Sequence, residues 1–197
     1  MRIAILSDIH DQVWNLAATL DALRDADAMI CCGDLCSPFV VHQMGRGFAG
    51  PIHVVFGNND GDLYRITANA RHYPQIQLHG EWFRGEFEGR RVAVNHYDNI
   101  ARPVAASGEF DLVCFGHNHV FEITRVGKTL AVNPGAIMGA TFATDGVRSD
   151  VEPTFVIYDT ASGEATRHQV KLGRPVRKGT SPPSIARPHR TASRVRE

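Results

Sequence analysis

The chain has 197 residues, the length of one larger domain or two very small ones. Apolar residues at 43% and charged residues at 21% exclude a mostly disordered, collagen-like or coiled-coil chain. Net charge is zero but unevenly placed: residues 173–197 hold seven Lys/Arg against one Asp/Glu, a net of +6, so the first 172 residues carry −6. An acidic body collects cations and is poorly suited to gripping a long nucleic acid.

From the N-terminus, Arg2-Ile3-Ala4-Ile5-Leu6 is a short apolar run ending in polar residues, the mark of a buried strand. It reaches Asp8 too soon for a secretory signal, and no apolar run approaches the roughly 18–20 residues that span a bilayer. A cytoplasmic chain with no membrane partner is therefore expected. Residues 13–24 place Val13, Leu16, Ala17, Leu20 and Leu23 at helical spacing, with Asp11 as the expected cap. A buried strand over 28–32, a helix over 38–44, a strand over 52–56 and a helix over 63–70, capped by Asp60, complete three strand–helix alternations. Such alternation predicts parallel strands with right-handed crossovers.

The second half predicts hairpins at 82–87 with 91–94, 121–126 with 129–132, and 154–158 with 165–172. A helix is expected over 100–106, a buried strand over 112–115 and a loop over 139–152. The fold class expected is α/β: two mixed β-sheets packed face to face and flanked by helices. Residues 1–172 form one domain, and 173–197, rich in Pro, Ser and Arg without apolar periodicity, form a basic flexible tail. Cys31, Cys32, Cys36 and Cys114 have no Cys-x-x-Cys spacing and are expected reduced and mostly buried.

Almost every buried strand ends in Asp, Asn or His. The carboxyl ends of strands are where ligands bind in an open α/β sheet. Five such ends bring together Asp8, His10, Asp34, Asn58, His96, His117 and His119. One Asp after a strand usually caps a helix and one His there usually bonds its loop, but five ends of this kind make that bland reading improbable. Carboxylate and amide oxygens with imidazole nitrogens suit Mn(II), Fe(II), Ni(II), Co(II) or Zn(II). Seven donors crowd one ion; shared between two, with one carboxylate bridging, they leave room for water and for attack on a phosphate ester. The chain has no P-loop, no Gly-x-Gly-x-x-Gly and no convincing nucleophile triad.

The order Asp8-Ile9-His10, Gly33-Asp34, Gly57-Asn58-Asn59-Asp60, His96 and Gly116-His117-Asn118-His119 resembles the calcineurin-like metallophosphoesterases, over about residues 1–160. Length and the Gly-Asn-x-Asp form look most like the small bacterial and archaeal phosphodiesterase branch. The resemblance implies two divalent transition-metal ions, manganese foremost. Asp8, His10, Asp34 and His119 would hold the first, and Asp34, Asn58, His96 and His117 the second, with Asp34 as the bridge. Asp34, Asn58 and His96 also take the catalytic role. The implied activity is hydrolysis of small phosphodiesters or cyclic nucleotides by a metal-bridging hydroxide. A non-catalytic scaffold of the same fold, known from one trafficking-complex subunit, and a nuclease using the tail are the alternatives. A small phosphodiester is the expected partner, with nucleic acid less favoured and a homo-oligomer open.

Two departures bear on this resemblance. Asn59 stands where larger phosphatases of the family place a proton-donating His, which favours diesters and activated aryl esters. Tyr97-Asp98 follows His96 where relatives commonly have Gly-His. Of the remaining residues, Cys36, two past Asp34, could line the pocket but reads first as a small buried filler, Trp14 and Phe39 read as core before base-stacking groups, and His42, His53, His72, His79, His168 and His189 read as structural or solvated.

Overall fold

A computed structural model describes residues 1–171, and the expected basic tail lies outside the described residues. The alternating first half forms β1 (Arg2–Leu6), α1 (Val13–Ala22), β2 (Ala28–Cys31), α2 (Pro38–Gly47), β3 (Ile52–Val54), α3 (Leu63–Ala70) and β4 (Ile76–Leu78). The second half forms β5 (Trp82–Phe87), β6 (Arg90–Asn95), α4 (Asp98–Ser107), β7 (Leu112–Cys114), β8 (Glu122–Val126) and β9 (Thr129–Asn133). It continues with β10 (Ala140–Phe142), β11 (Arg148–Asp150), β12 (Thr154–Asp159) and β13 (Glu164–Gln169).

Two mixed sheets result. The first runs β13-β12-β1-β2-β3-β4, parallel from β1 to β4 and closed by the antiparallel β12 and β13. The second runs β5-β6-β7-β9-β8, parallel at its centre and antiparallel at both edges. Side chains alternate across a strand, so each sheet offers two faces to bury. Ile3 and Ile5 of β1 point to the shared inner core, where they join Ile30, Val92, Val94, Leu112, Leu130 and Val132. Ala4 and Leu6 point outward and are covered by Leu16 and Leu20 of α1, Val40, Val41 and Met44 of α2, and Ile66 of α3. Ala93, Val113 and Ala131 on the outer face of the second sheet are covered by Ala101 and Ala105 of α4. The result is the expected sandwich of two sheets flanked by helices.

Three local expectations are corrected, and one strand was not expected. The stretch 139–152 is a two-stranded hairpin, β10 with β11. Its Gly-flanked sequence hides three ladder pairs because strands of three residues show no clear alternation. β4 has too few residues to show any period. Asp11 does not cap α1; its carboxylate accepts from the Ser37 backbone N–H at 3.0 Å and from its hydroxyl at 2.7 Å, tying the first turn to the second. Asp62, not Asp60, caps α3, accepting from the Arg65 N–H at 3.0 Å.

Candidate metal centre

The strand-end turns converge at one end of the two sheets, on backbone that L-residues seldom adopt. Asp8, His10, Asp34, His117 and His119 all have positive φ, between 43° and 70°. Such conformations cost of order 1–3 kcal/mol each and persist where the surroundings over-determine them. Asp60 is part of that determination: its buried carboxylate accepts from the N–H groups of Asp34 (3.1 Å), Cys36 (2.9 Å) and Gly57 (2.7 Å), clamping two ligand turns together. Two glycines are there for space. A Cβ on Gly57 would strike Asp34 Oδ1 and the His96 ring, and one on Gly116 would strike Ser7 Oγ and Asp8 Oδ2.

All seven candidate residues come together. Asp8, His10, Asp34 and His119 each offer one donor atom within 4.8 Å of the others. His119 Nε2 is 3.3 Å from Asp8 Oδ1, and His10 Nε2 is 3.4 Å from Asp34 Oδ2. On the other side of Asp34, the same Oδ2 lies 3.4 Å from His96 Nε2. Asn58 Oδ1 in turn lies 3.1 Å from His96 Nε2 and 2.9 Å from His117 Nδ1. Asp34 is thus the carboxylate between two donor sets. Asp8 and Asp34 are buried, whereas Asn58 and His117 are exposed, so the second set faces the solvent.

The donor set fits divalent ions on a physical ground. His96 Nδ1 meets the Cys32 carbonyl at 2.8 Å, and His119 Nδ1 meets the Ala140 carbonyl at 2.7 Å. A carbonyl only accepts, so each Nδ1 carries the hydrogen and each neutral Nε2 presents a lone pair. Those lone pairs point at carboxylate and amide oxygens, acceptor against acceptor, an arrangement that a cation between them relieves. The local electrostatics make the same demand for positive charge. Burial disfavours the imidazolium at His96 and at His119, but the Asp34 and Asp8 carboxylates outweigh it and push both pKa values up. Burial pushes the Asp34 carboxyl up, yet His96 and the two Asn59 donors hold it well below the usual carboxylate range. At His10 burial prevails and its pKa is lowered.

Three side chains have other places than expected. Cys36 is half-buried, not filler: its Sγ lies 3.4 Å from His10 Nδ1, and burial pushes the thiol up to about 12. Trp14 (76% exposed) and Phe39 (50%) are not core residues; each stands in the first turn of a helix that follows a ligand turn. Asn59 donates its backbone N–H to Asp34 Oδ1 and its side-chain amide to Oδ2, both at 2.8 Å. The Cys32 and Ala140 carbonyls were beyond any sequence reading, because a backbone atom leaves no residue-type signal.

The calcineurin-like phosphoesterase superfamily domain matches residues 1–163. A phosphodiesterase of Methanocaldococcus jannaschii is 26% identical over 143 residues, covering 71% of this chain and 86% of that protein. The solved structure of an archaeal phosphodiesterase superposes with a TM-score of 0.75 at 25% identity, covering 86% of this chain and 99% of the other. Zinc-bound Vps29 from Entamoeba histolytica (TM-score 0.58, 18% identity, 88% and 100% covered) shares the fold. So does YfcE, a phosphoesterase from E. coli (TM-score 0.56, 16% identity, 87% and 100% covered).

Proposed function

The chain belongs to the calcineurin-like phosphoesterase superfamily, and from that premise we propose that it is a phosphodiesterase working with two divalent transition-metal ions, manganese foremost. The observation that carries this reading is the doubled donor set around Asp34, complete on both sides. Asp8, His10, Asp34 and His119 would hold one ion, and Asp34, Asn58, His96 and His117 the other. Bound there, such a pair neutralises phosphate charge and activates water near neutral pH.

The chain's own residues supply position and leave protonation wanting. The Cys32 and Ala140 carbonyls hold His96 and His119 in one tautomer. Asn59 holds both oxygens of Asp34. The exposed Asn58 and His117 border the side from which a phosphate approaches. Asn59 cannot give a proton to a leaving oxygen, so the rate depends steeply on leaving-group pKa and favours diesters with good leaving groups. A scaffold role for the same fold has no use for all seven donors.

The expected outcome is two manganese ions per chain by titration calorimetry, and hydrolysis of bis(p-nitrophenyl) phosphate much faster than that of an alkyl phosphomonoester. Asp34→Ala loses both ions and the activity, because one carboxylate serves both sides. A stoichiometry of one, or Asp34→Ala retaining two ions, overturns the two-ion reading. A preference for alkyl monoesters overturns the phosphodiesterase reading.

A further inference from the structure

The β10–β11 hairpin touches the metal centre twice. Ala140 accepts from His119 through its carbonyl. Two residues along the same strand, and so on the same face, the Phe142 ring meets the same imidazole in a T-shaped contact, with centroids 5.9 Å apart and planes at 71°. The other end of that imidazole, Nε2, faces Asp8 and His10. Phe142 therefore stands one ring's width from the donor cluster. It is not sealed there: Ala140 is fully buried, but Phe142 remains 52% exposed.

That placement is specific. Between Ala140 and Phe142, Thr141 lines a cavity of about 320 Å³ together with His119, Val120, Phe121, Glu152 and Arg167, and Phe142 does not line it. Thr141 faces the cavity, and Phe142 stands half in water beside the donor cluster. Across the cluster, Tyr97 leans on the second donor set, with its ring centroid 5.0 Å from that of His117 and 5.2 Å from that of His96. The donors are thus bracketed by two aromatic rings, of which Phe142 is the exposed one.

We infer that Phe142 is a specificity-determining residue that packs against a nucleobase on the ester group that stays on phosphorus when the bound phosphodiester is cleaved; the inference rests on the phosphodiesterase reading above. A diester carrying such a group places its phosphate at the donors and its π-face on Phe142, whereas a methyl ester reaches none of that face. Stacking on one exposed ring is worth roughly 10-fold in affinity.

The test uses the full-length, manganese-loaded chain and two diesters with the same leaving group, thymidine 5′-p-nitrophenyl phosphate and methyl p-nitrophenyl phosphate. The wild type is expected to favour the thymidine ester in kcat/KM, and Phe142→Ala to cut that preference about 10-fold through KM, with Phe142→Trp restoring it. Calorimetry gives a second readout: Phe142→Ala weakens thymidine 5′-monophosphate relative to inorganic phosphate by the same factor, and both variants keep two manganese ions. An unchanged ester ratio in Phe142→Ala overturns the inference. So does an equal fall for both esters accompanied by manganese loss, which would make Phe142 only a prop for His119. A wild type that cleaves both esters equally well overturns this inference alone; one that cleaves neither overturns the phosphodiesterase reading with it.

Discussion

Asn59 commits both of its nitrogen donors to Asp34, the carboxylate between the two donor sets. Removing the side-chain donor in Asn59→Leu should weaken manganese binding on the order of 10-fold, the low end for a lost group behind a ligand, and titration calorimetry checks it. Asn59→His pays the same loss but introduces a proton donor. Its hydrolysis of an alkyl monoester relative to bis(p-nitrophenyl) phosphate should rise about 10-fold, a modest share of what general acid catalysis supplies. If the ratio stays flat while both ions are retained, protonation is not what limits monoesters. At this scale the types and spacing of Asp8, His10, Asp34, Asn58, His96, His117 and His119 were legible. The division of labour between Asp60 and Asp62 was not, because both follow the same turn and only the fold decides which one faces Asp34.

At the scale of elements, β3 and the end of β4 bring His53 and His79 together, Nδ1 to Nε2 at 3.1 Å, with Phe83 and Phe87 of β5 against the His53 ring. Burial, with His79 adding to it, pushes His53 down from its ordinary value of 6.5 to about 4; burial lowers His79 too. In the unfolded chain both would titrate near 6.5, so between about 6.5 and 4 the unfolded state binds more protons. Their contribution is therefore whole above pH 6.5 and lost as pH falls towards 4. For His53, whose ring still meets some water, it should be of order 1 kcal/mol. Urea unfolding at pH 7 and pH 5 should show that His53→Phe loses less stability on acidification than the wild type; an equal loss would show that the pair does not titrate in this range. The pairing could not be read from sequence. It joins residues on neighbouring parallel strands whose register is set by helix packing.

Over the whole molecule, two fully buried carboxylates, Asp8 and Asp34, lie at the seam where both sheets end. Ions that bind the folded chain and not the unfolded one stabilise it by mass action, by about 2.7 kcal/mol at a hundred times Kd. In a chain of this size each kcal/mol moves Tm by roughly 2–4 °C. With both sites filled at that excess, about 5.4 kcal/mol in all, manganese should therefore raise Tm by about 10–20 °C over the same protein in EDTA, read by differential scanning calorimetry. Asp34→Ala should abolish the difference. A wild-type Tm indifferent to the metal would show that the centre is not coupled to folding.

The sequence by itself determined the layers and the chemistry. Hydrophobic period separates helix from strand, and donor types at strand ends name a metal centre, since both follow from residue identity and short-range spacing. Long-range approach was decided only in the tertiary structure. The two sheets stack so that Asp34 falls between donors drawn from both halves of the chain, the Ala140 and Cys32 carbonyls fix two imidazoles, and a polar stretch becomes the hairpin that sets Phe142 beside His119. Those outcomes depend on backbone atoms and on which face of a strand meets which neighbour. Residue types carry no record of either, because any side chain presents the same carbonyl and a single step in register reverses every face.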